Sequence, residues 1–247
     1  MYESSNVPPL INSTIAGTGR GTRQPDPPLG EMENDRQPIA SLFAAIEAVL
    51  REPRRVLYQL TQPQQGRLAR DLVFVTLGAS AIYGLVAGTF SGGEQLLAAS
   101  VKITGGLFLS AAICLPSLYI FSCLGGGRAR LSEVCGLLAA FLALMTILLI
   151  GFAPVAWVFS QSTASVAAMG ALHLLFWFIA TGFGLRLLER GFRYRGTQGG
   201  MMRIWTVLFL LVALQMTTAL RPLVGTAPTF LPETKQFFVA HWMEVFK

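Results

Sequence analysis

Charge is scarce in this 247-residue chain: Asp, Glu, Lys and Arg together make up 13% of it, about half the ~25% of a soluble globular domain. That excludes an ordinary water-soluble fold, and 53% hydrophobic residues exclude disorder throughout. Histidine is scarcer still. His173 and His241 are the only two, and they do not form an HExxH pair, which argues against a zinc hydrolase. Three cysteines, Cys114, Cys123 and Cys135, cannot build a disulfide framework and form no CxxC. Cys123 and Cys135 flank a short loop on the reducing side and read as free core thiols. No GxSxG elbow occurs, and no glycine cluster leads into Lys-Ser or Lys-Thr as a P-loop requires. An intramembrane protease needs a Ser–His or paired-Asp arrangement, and nothing selects a serine to act with His173. The expectation is a protein without catalytic residues, metal ligands or cofactor, hence not an enzyme.

What the chain does have is long apolar runs. A bilayer core of about 30 Å takes roughly 20 apolar residues as helix. Five segments qualify: 72–90, 103–124, 134–159, 166–188 and 204–220. The second extends backwards over helix-like 95–102. The gaps between them are short and rich in turn residues, including Gly92-Gly93 and Gly125-Gly126-Gly127. Pro154 interrupts the third run, whose length fits one kinked or tilted span better than a helical hairpin. Pro116 predicts a kink in the second. The expected fold class is all-α: a polytopic integral membrane helix bundle of five transmembrane helices over 71–221, with amphipathic interfacial helices at both ends.

The flanks differ in composition. Residues 1–38 hold Pro8, Pro9, Pro25, Pro27, Pro28 and Pro38 with no apolar periodicity, and read as a disordered cytoplasmic tail. The tail lacks the apolar core of a signal peptide and is a candidate docking segment for a protein partner. Residues 39–70 place Ile39, Leu42, Phe43, Ile46, Val49 and Leu50 on one helical stripe, which Pro53 should end or kink. Arg51, Arg54 and Arg55 beside that stripe suit a helix in the headgroup layer, as candidate contacts to anionic lipids. A helix packed against the inner mouths of the spans fits equally. Residues 222–247, with Phe230, Phe237, Phe238, Trp242 and Phe246, suggest an amphipathic segment at the far interface.

Basic residues mark cytoplasmic loops. With five spans and the amino terminus inside, the other side receives only Lys102, Arg221, Lys235 and Lys247 of the 19 Lys and Arg. The arginines of the inner loops therefore predict a cytoplasmic amino terminus and a carboxyl terminus on the outer side. They also explain the pI of about 9.7 without nucleic acid as a partner.

Polar groups at membrane depth are functional candidates by default. Lys102 at the start of the second span can snorkel to headgroups or point into the bundle. His173 in the fourth span needs a hydrogen-bond partner from a neighbouring helix. Tyr83, Tyr119 and Gln215 are the possible ones, and Lys102, His173, Gln215 and Tyr119 form the candidate intramembrane polar site. Gly84 and Gly88 offer a small-residue face for close approach of another span or of a second copy. Arg221 is a candidate headgroup anchor or partner of Glu94.

The run Ser117-Leu118-Tyr119-Ile120-Phe121-Ser122-Cys123-Leu124-Gly125-Gly126 leads into a basic loop. With the amphipathic entry around Glu52-Pro53 and with Ala153-Pro154, it resembles the Yip family, five-span membrane proteins named for interaction with Ypt/Rab GTPases, and especially its bacterial relatives. The likeness covers about 39–220. It implies a cytosolic amino terminus and a non-catalytic role in membrane organisation or trafficking. The eukaryotic Asp-Leu-Tyr-Gly-Pro type motif is absent, with Asp71-Leu72 its only echo, which speaks against a GTPase partner. The expected function is a membrane scaffold or a subunit of a larger complex, in a bacterial inner membrane. The alternative is a small transporter or channel-like permease using Lys102, His173 and Gln215.

Overall fold

The computed structural model describes residues 27–220, apart from Ser91, Glu94 and the side chain of Gln95. The first 26 residues of the expected tail, the segment 222–247, and Arg221 with its suggested partner Glu94 lie outside the described residues.

Among the described residues the chain is all-helical. Three short helices, α1 (Glu33–Arg36), α2 (Leu42–Arg51) and α3 (Pro53–Gln59), precede five long ones: α4 (Gln65–Gly88), α5 (Gln95–Leu124), α6 (Leu131–Ser162), α7 (Val166–Arg193) and α8 (Gly199–Ala219). All five long helices are long and apolar enough to cross a membrane. Each predicted apolar run sits inside one of them, apart from the last residue or two of 72–90 and 204–220. The helices also run beyond the bilayer-length core. α4 begins at Gln65 and carries Arg67 and Arg70 in its opening turns, and α7 continues to Arg193. Hydropathy locates the membrane; the helix continues wherever residues of good helix propensity follow.

Successive spans joined by short loops run antiparallel. This creates one arginine-rich end, where α2, α3 and the α5–α6 and α7–α8 loops meet, and one arginine-poor end at the α4–α5 and α6–α7 loops. α6 is the hub. It packs extensively on α4 and α7, while α5 packs on α4 and α8. α7 and α8 meet only sparingly. The order around the bundle is thus α8, α5, α4, α6, α7, with a thin seam where the ring closes. Both internal prolines lie within continuous helices, Pro116 in α5 and Pro154 in α6.

The core contains Phe141, Phe192, Trp205 and Phe209, all fully buried. Trp205 stacks on Phe209 (centroids 5.3 Å apart), which meets Phe141 edge-on at 5.1 Å. The Trp205 indole N–H donates to the Cys114 carbonyl at 3.1 Å, tying α8 to α5. Outward faces carry Phe74, Ile82, Leu109, Phe178 and Leu211, all exposed, as lipid-facing positions of a membrane bundle must be. Cys123 and Cys135, expected as core thiols, are instead exposed; Cys114 is the buried one. In a bundle surrounded by lipid an apolar thiol has no need of the core.

Pro53 behaves as expected. α2 ends at Arg51, and α3 restarts with Pro53 in its first turn, where a missing N–H costs nothing. Ser41 caps α2 by accepting from the Ala44 N–H at 3.2 Å. α3 and the residue that follows it insert Val56, Leu57 and Leu60 against the arginine-rich mouths of the spans, where all three are buried. Residues 27–38 do not follow the expectation of a loose tail. Arg54 donates to the carbonyls of Pro27 and Pro28, and Arg55 to those of Gln37 and Pro38. Asp35 is buried and pairs with Arg54 at 3.3 Å. Two guanidiniums on α3 thereby strap this stretch onto the bundle.

Candidate functional site

A cavity of about 360 Å³ lies between the spans in the arginine-poor half, and all five contribute to its wall. Lys102 and His173 each sit seven residues into their helices, and Tyr83 lies five residues from the end of α4. That spacing puts all three about 8–10 Å from the arginine-poor end. Lys102 is only 2% exposed and lines the cavity. It is held between helices and does not reach out along the surface.

His173 also lines the cavity. Its Nδ1 shares a 2.7 Å hydrogen bond with the Tyr83 hydroxyl across α7 and α4, the rings meeting edge-on at 85°. Its Nε2 is buried and has no hydrogen-bond partner. If the phenol donates to Nδ1, the imidazole proton resides on Nε2.

The remaining polar wall is made of hydroxyls whose protons are spent on their own helices. Ser110 donates to the Gly106 carbonyl at 2.7 Å, Thr146 to that of Leu142 at 2.9 Å, and Thr217 to that of Leu214 at 2.7 Å. Ser80 joins α4 to α5 through Thr104 at 3.1 Å. The rest is mostly apolar: Ile103, Leu107, Leu149 and Leu174, with the indole of Trp177. No Asp or Glu is among the described residues of the lining.

The expected polar site is therefore brought together in part. Lys102 and His173 converge. Gln215 is not among the lining residues, although its neighbours Met216 and Thr217 are. Tyr119 is 36% exposed and lies 17 residues beyond Lys102 on α5, roughly 25 Å along the axis. Tyr83 takes the place beside His173. Sequence separation hid that pairing, but an aromatic hydroxyl at matching depth is the signal that could have found it.

Of the three arginines considered for lipid contact, Arg54 and Arg55 turn their terminal nitrogens to the protein. Arg54 reaches the Tyr194 hydroxyl at 2.8 Å and Arg55 reaches Glu52 at 2.7 Å, besides the carbonyls above. Arg51 keeps an open head group, 78% exposed, with a 3.4 Å contact to Glu47. Gly84 serves packing inside the chain: a Cβ there would sit 2.5 Å from the Ser100 Cα, so α4 and α5 touch backbone to backbone. Gly88 is buried on the same helix.

At the arginine-rich end the two loops are zipped. The Gln198 N–H donates to the Gly125 carbonyl at 2.8 Å, and the Arg128 N–H to that of Arg195 at 3.4 Å. The Thr197 side chain wedges against Gly125 and Gly127, where no Cβ would fit. Arg195 then clamps three elements, donating to Glu133 at 2.9 Å, to the Gly191 carbonyl at 2.9 Å and to that of Leu60 at 3.4 Å.

Among the described residues, no three His, Cys, Asp or Glu side chains gather to hold a metal. No family model, no curated protein and no solved structure matches this chain.

Proposed function

We propose that this is a non-enzymatic membrane protein that takes a small ligand into its bundle and passes it on: a small permease. The convergence of Lys102 and His173 on one cavity walled by all five spans carries this reading. An ammonium at membrane depth is costly, and a packed structural core would have no use for it. The volume falls within the ~300–1,000 Å³ range in which proteins hold small molecules. The reading includes a bacterial inner membrane and the arginine-rich end in the cytoplasm, supported by the distribution of basic residues.

One observation favours a second reading, the scaffold or complex subunit that the Yip-like features suggest. α2 exposes Leu42, Phe43 and Leu50, with Phe43 82% exposed, beside the open Arg51. That ridge suits an anionic leaflet or a protein partner.

Cysteine accessibility separates the two. Ser110 is buried and lines the cavity. In a chain whose three native cysteines are replaced by alanine, Ser110→Cys in native membranes should react with a small water-soluble thiol reagent. Ala164→Cys, in an exposed loop position, is the control. No reaction at position 110 while position 164 reacts would sink the permease and leave the scaffold.

A further inference from the structure

From the donor arrangement in the cavity we infer the class of ligand: a carboxylate or phosphate headgroup carried on one acyl or alkyl chain. This rests on the permease reading and deepens it.

Hydrogen-bond capacity in the wall is sharply unequal. The hydroxyls of Ser110, Thr146 and Thr217 all give their protons to their own helix backbones, so toward the cavity they can only accept. Besides the Trp177 indole N–H, the donors that line the cavity are those of Lys102 and His173. Lys102 brings an ammonium with three N–H groups, enough to serve a ligand and another partner together. With the Tyr83 phenol donating to Nδ1, His173 brings its Nε2–H, buried and without a partner. Both sit seven residues into their helices, α5 and α7, and both line the cavity. A carboxylate or phosphate, which only accepts, matches that spot. A sugar or amino acid brings more donors and acceptors than the few accepting hydroxyls of the remaining wall can serve. Ile103, Leu107, Leu149, Leu174 and Trp177 instead offer the contact surface of a hydrocarbon chain.

The route fits the same class. α7 and α8 supply opposing sides of the cavity, with Gly170 and Leu174 on one and Ala213 and Met216 on the other. Among the described residues these two helices make the sparsest contact of any neighbouring spans. Val166 at the cavity's rim is half exposed. A ligand already dissolved in the bilayer meets the cavity along this seam with its chain towards lipid. Carboxylate and phosphate headgroups share the chemistry, and the experiment distinguishes them.

The test uses the purified full chain in phosphatidylcholine nanodiscs with radiolabelled dodecanoate. Saturable binding is expected, displaced by unlabelled dodecanoate or dodecyl phosphate; the better competitor identifies the headgroup. Dodecanol and dodecyltrimethylammonium should compete at least about tenfold less well, since each forfeits the charge-assisted bond, and acetate should not compete. In Lys102→Gln, dodecanoate binding should weaken by about tenfold or more while weak competition by dodecanol persists, which shows that the cavity is intact. Dodecanol competing as well as dodecanoate, acetate competing at equal concentration, or no saturable binding would each overturn the inference. If Lys102→Gln does not fold, the anion preference of the unmodified chain decides alone. Reaction of Ser110→Cys without anion preference overturns this inference and keeps the permease; absence of that reaction overturns the permease itself.

Discussion

Individual side chains set the tightest constraints at three points. Tyr83→Phe removes the one hydroxyl that satisfies His173 Nδ1 and leaves both imidazole nitrogens without partners. Hydrogen bonds between membrane helices average about 0.6 kcal/mol and reach about 1.7, so a loss near 1 kcal/mol is expected in unfolding by denaturing detergent. Arg195 is only 6% exposed and Glu133 17%. Arg195→Ala strands that carboxylate and two carbonyls together, and breaking such a buried pair costs about 3–5 kcal/mol. The expected result is a chain that loses its thermal transition in mild detergent, with Arg195→Lys intermediate. Glu52 is a matter of pH. Arg55 and then Asn34 hold its carboxyl below the ordinary carboxylate range. A lowered folded-state pKa stabilises fully above the unfolded value of about 4.3 and is lost as pH falls through the folded one. Wild type should therefore exceed Glu52→Gln in Tm at pH 7, and the two should merge in acid.

At the scale of elements, glycine positions that look alike in the sequence divide sharply. Gly84 and Gly78 both lie in α4, yet a Cβ on Gly84 meets the Ser100 backbone, while one on Gly78 meets open space. Gly84→Ala should push α5 away and cost about 1–3 kcal/mol, as overpacking does. Gly78→Ala should be neutral or gain up to about 1 kcal/mol of helix propensity. Thermal unfolding of the two variants side by side checks the contrast. The same distinction explains what could be read from the chain alone. Five helices were legible because each apolar run is long enough to cross a bilayer, and the α2–α3 break because proline forbids continuation. The wedge of Thr197 against Gly125 and Gly127 was not legible. It joins loops some seventy residues apart, and a glycine triplet reads equally well as a free turn. The strapping of 27–38 onto α3 was hidden for a similar reason: proline-rich composition carries no sign of which arginines will bind its carbonyls. In the cavity, depth along each span suggested Lys102 and His173, whereas facing was invisible, so Gln215 and Tyr119 were grouped with them although neither lines the cavity.

For the whole molecule, the odd number of spans and the alternation of basic loops make orientation testable. In a chain without its native cysteines, Ala164→Cys and Gln198→Cys stand in loops at opposite ends of the bundle. A membrane-impermeant maleimide added to intact cells should label position 164 and spare position 198 until the membrane is opened. The reverse pattern would invert the molecule.

The zipped loops have a mechanical consequence. Backbone bonds and the Thr197 wedge hold α8 to α5 at the arginine-rich end, while its far end borders the cavity beside the sparse α7 contact. α8 would pivot about its arginine-rich end against the packing of the Met216 and Leu220 side chains on Gly106 of α5. At 21 residues it is about 30 Å long, so a pivot of roughly 5° swings its tip by about 2–3 Å. That displacement approaches the thickness of a hydrocarbon chain. Such a tilt would move Trp205 and Phe209, about 9 and 15 Å from the pivot, by only about 1 Å, with the aperture widening in proportion to distance from it.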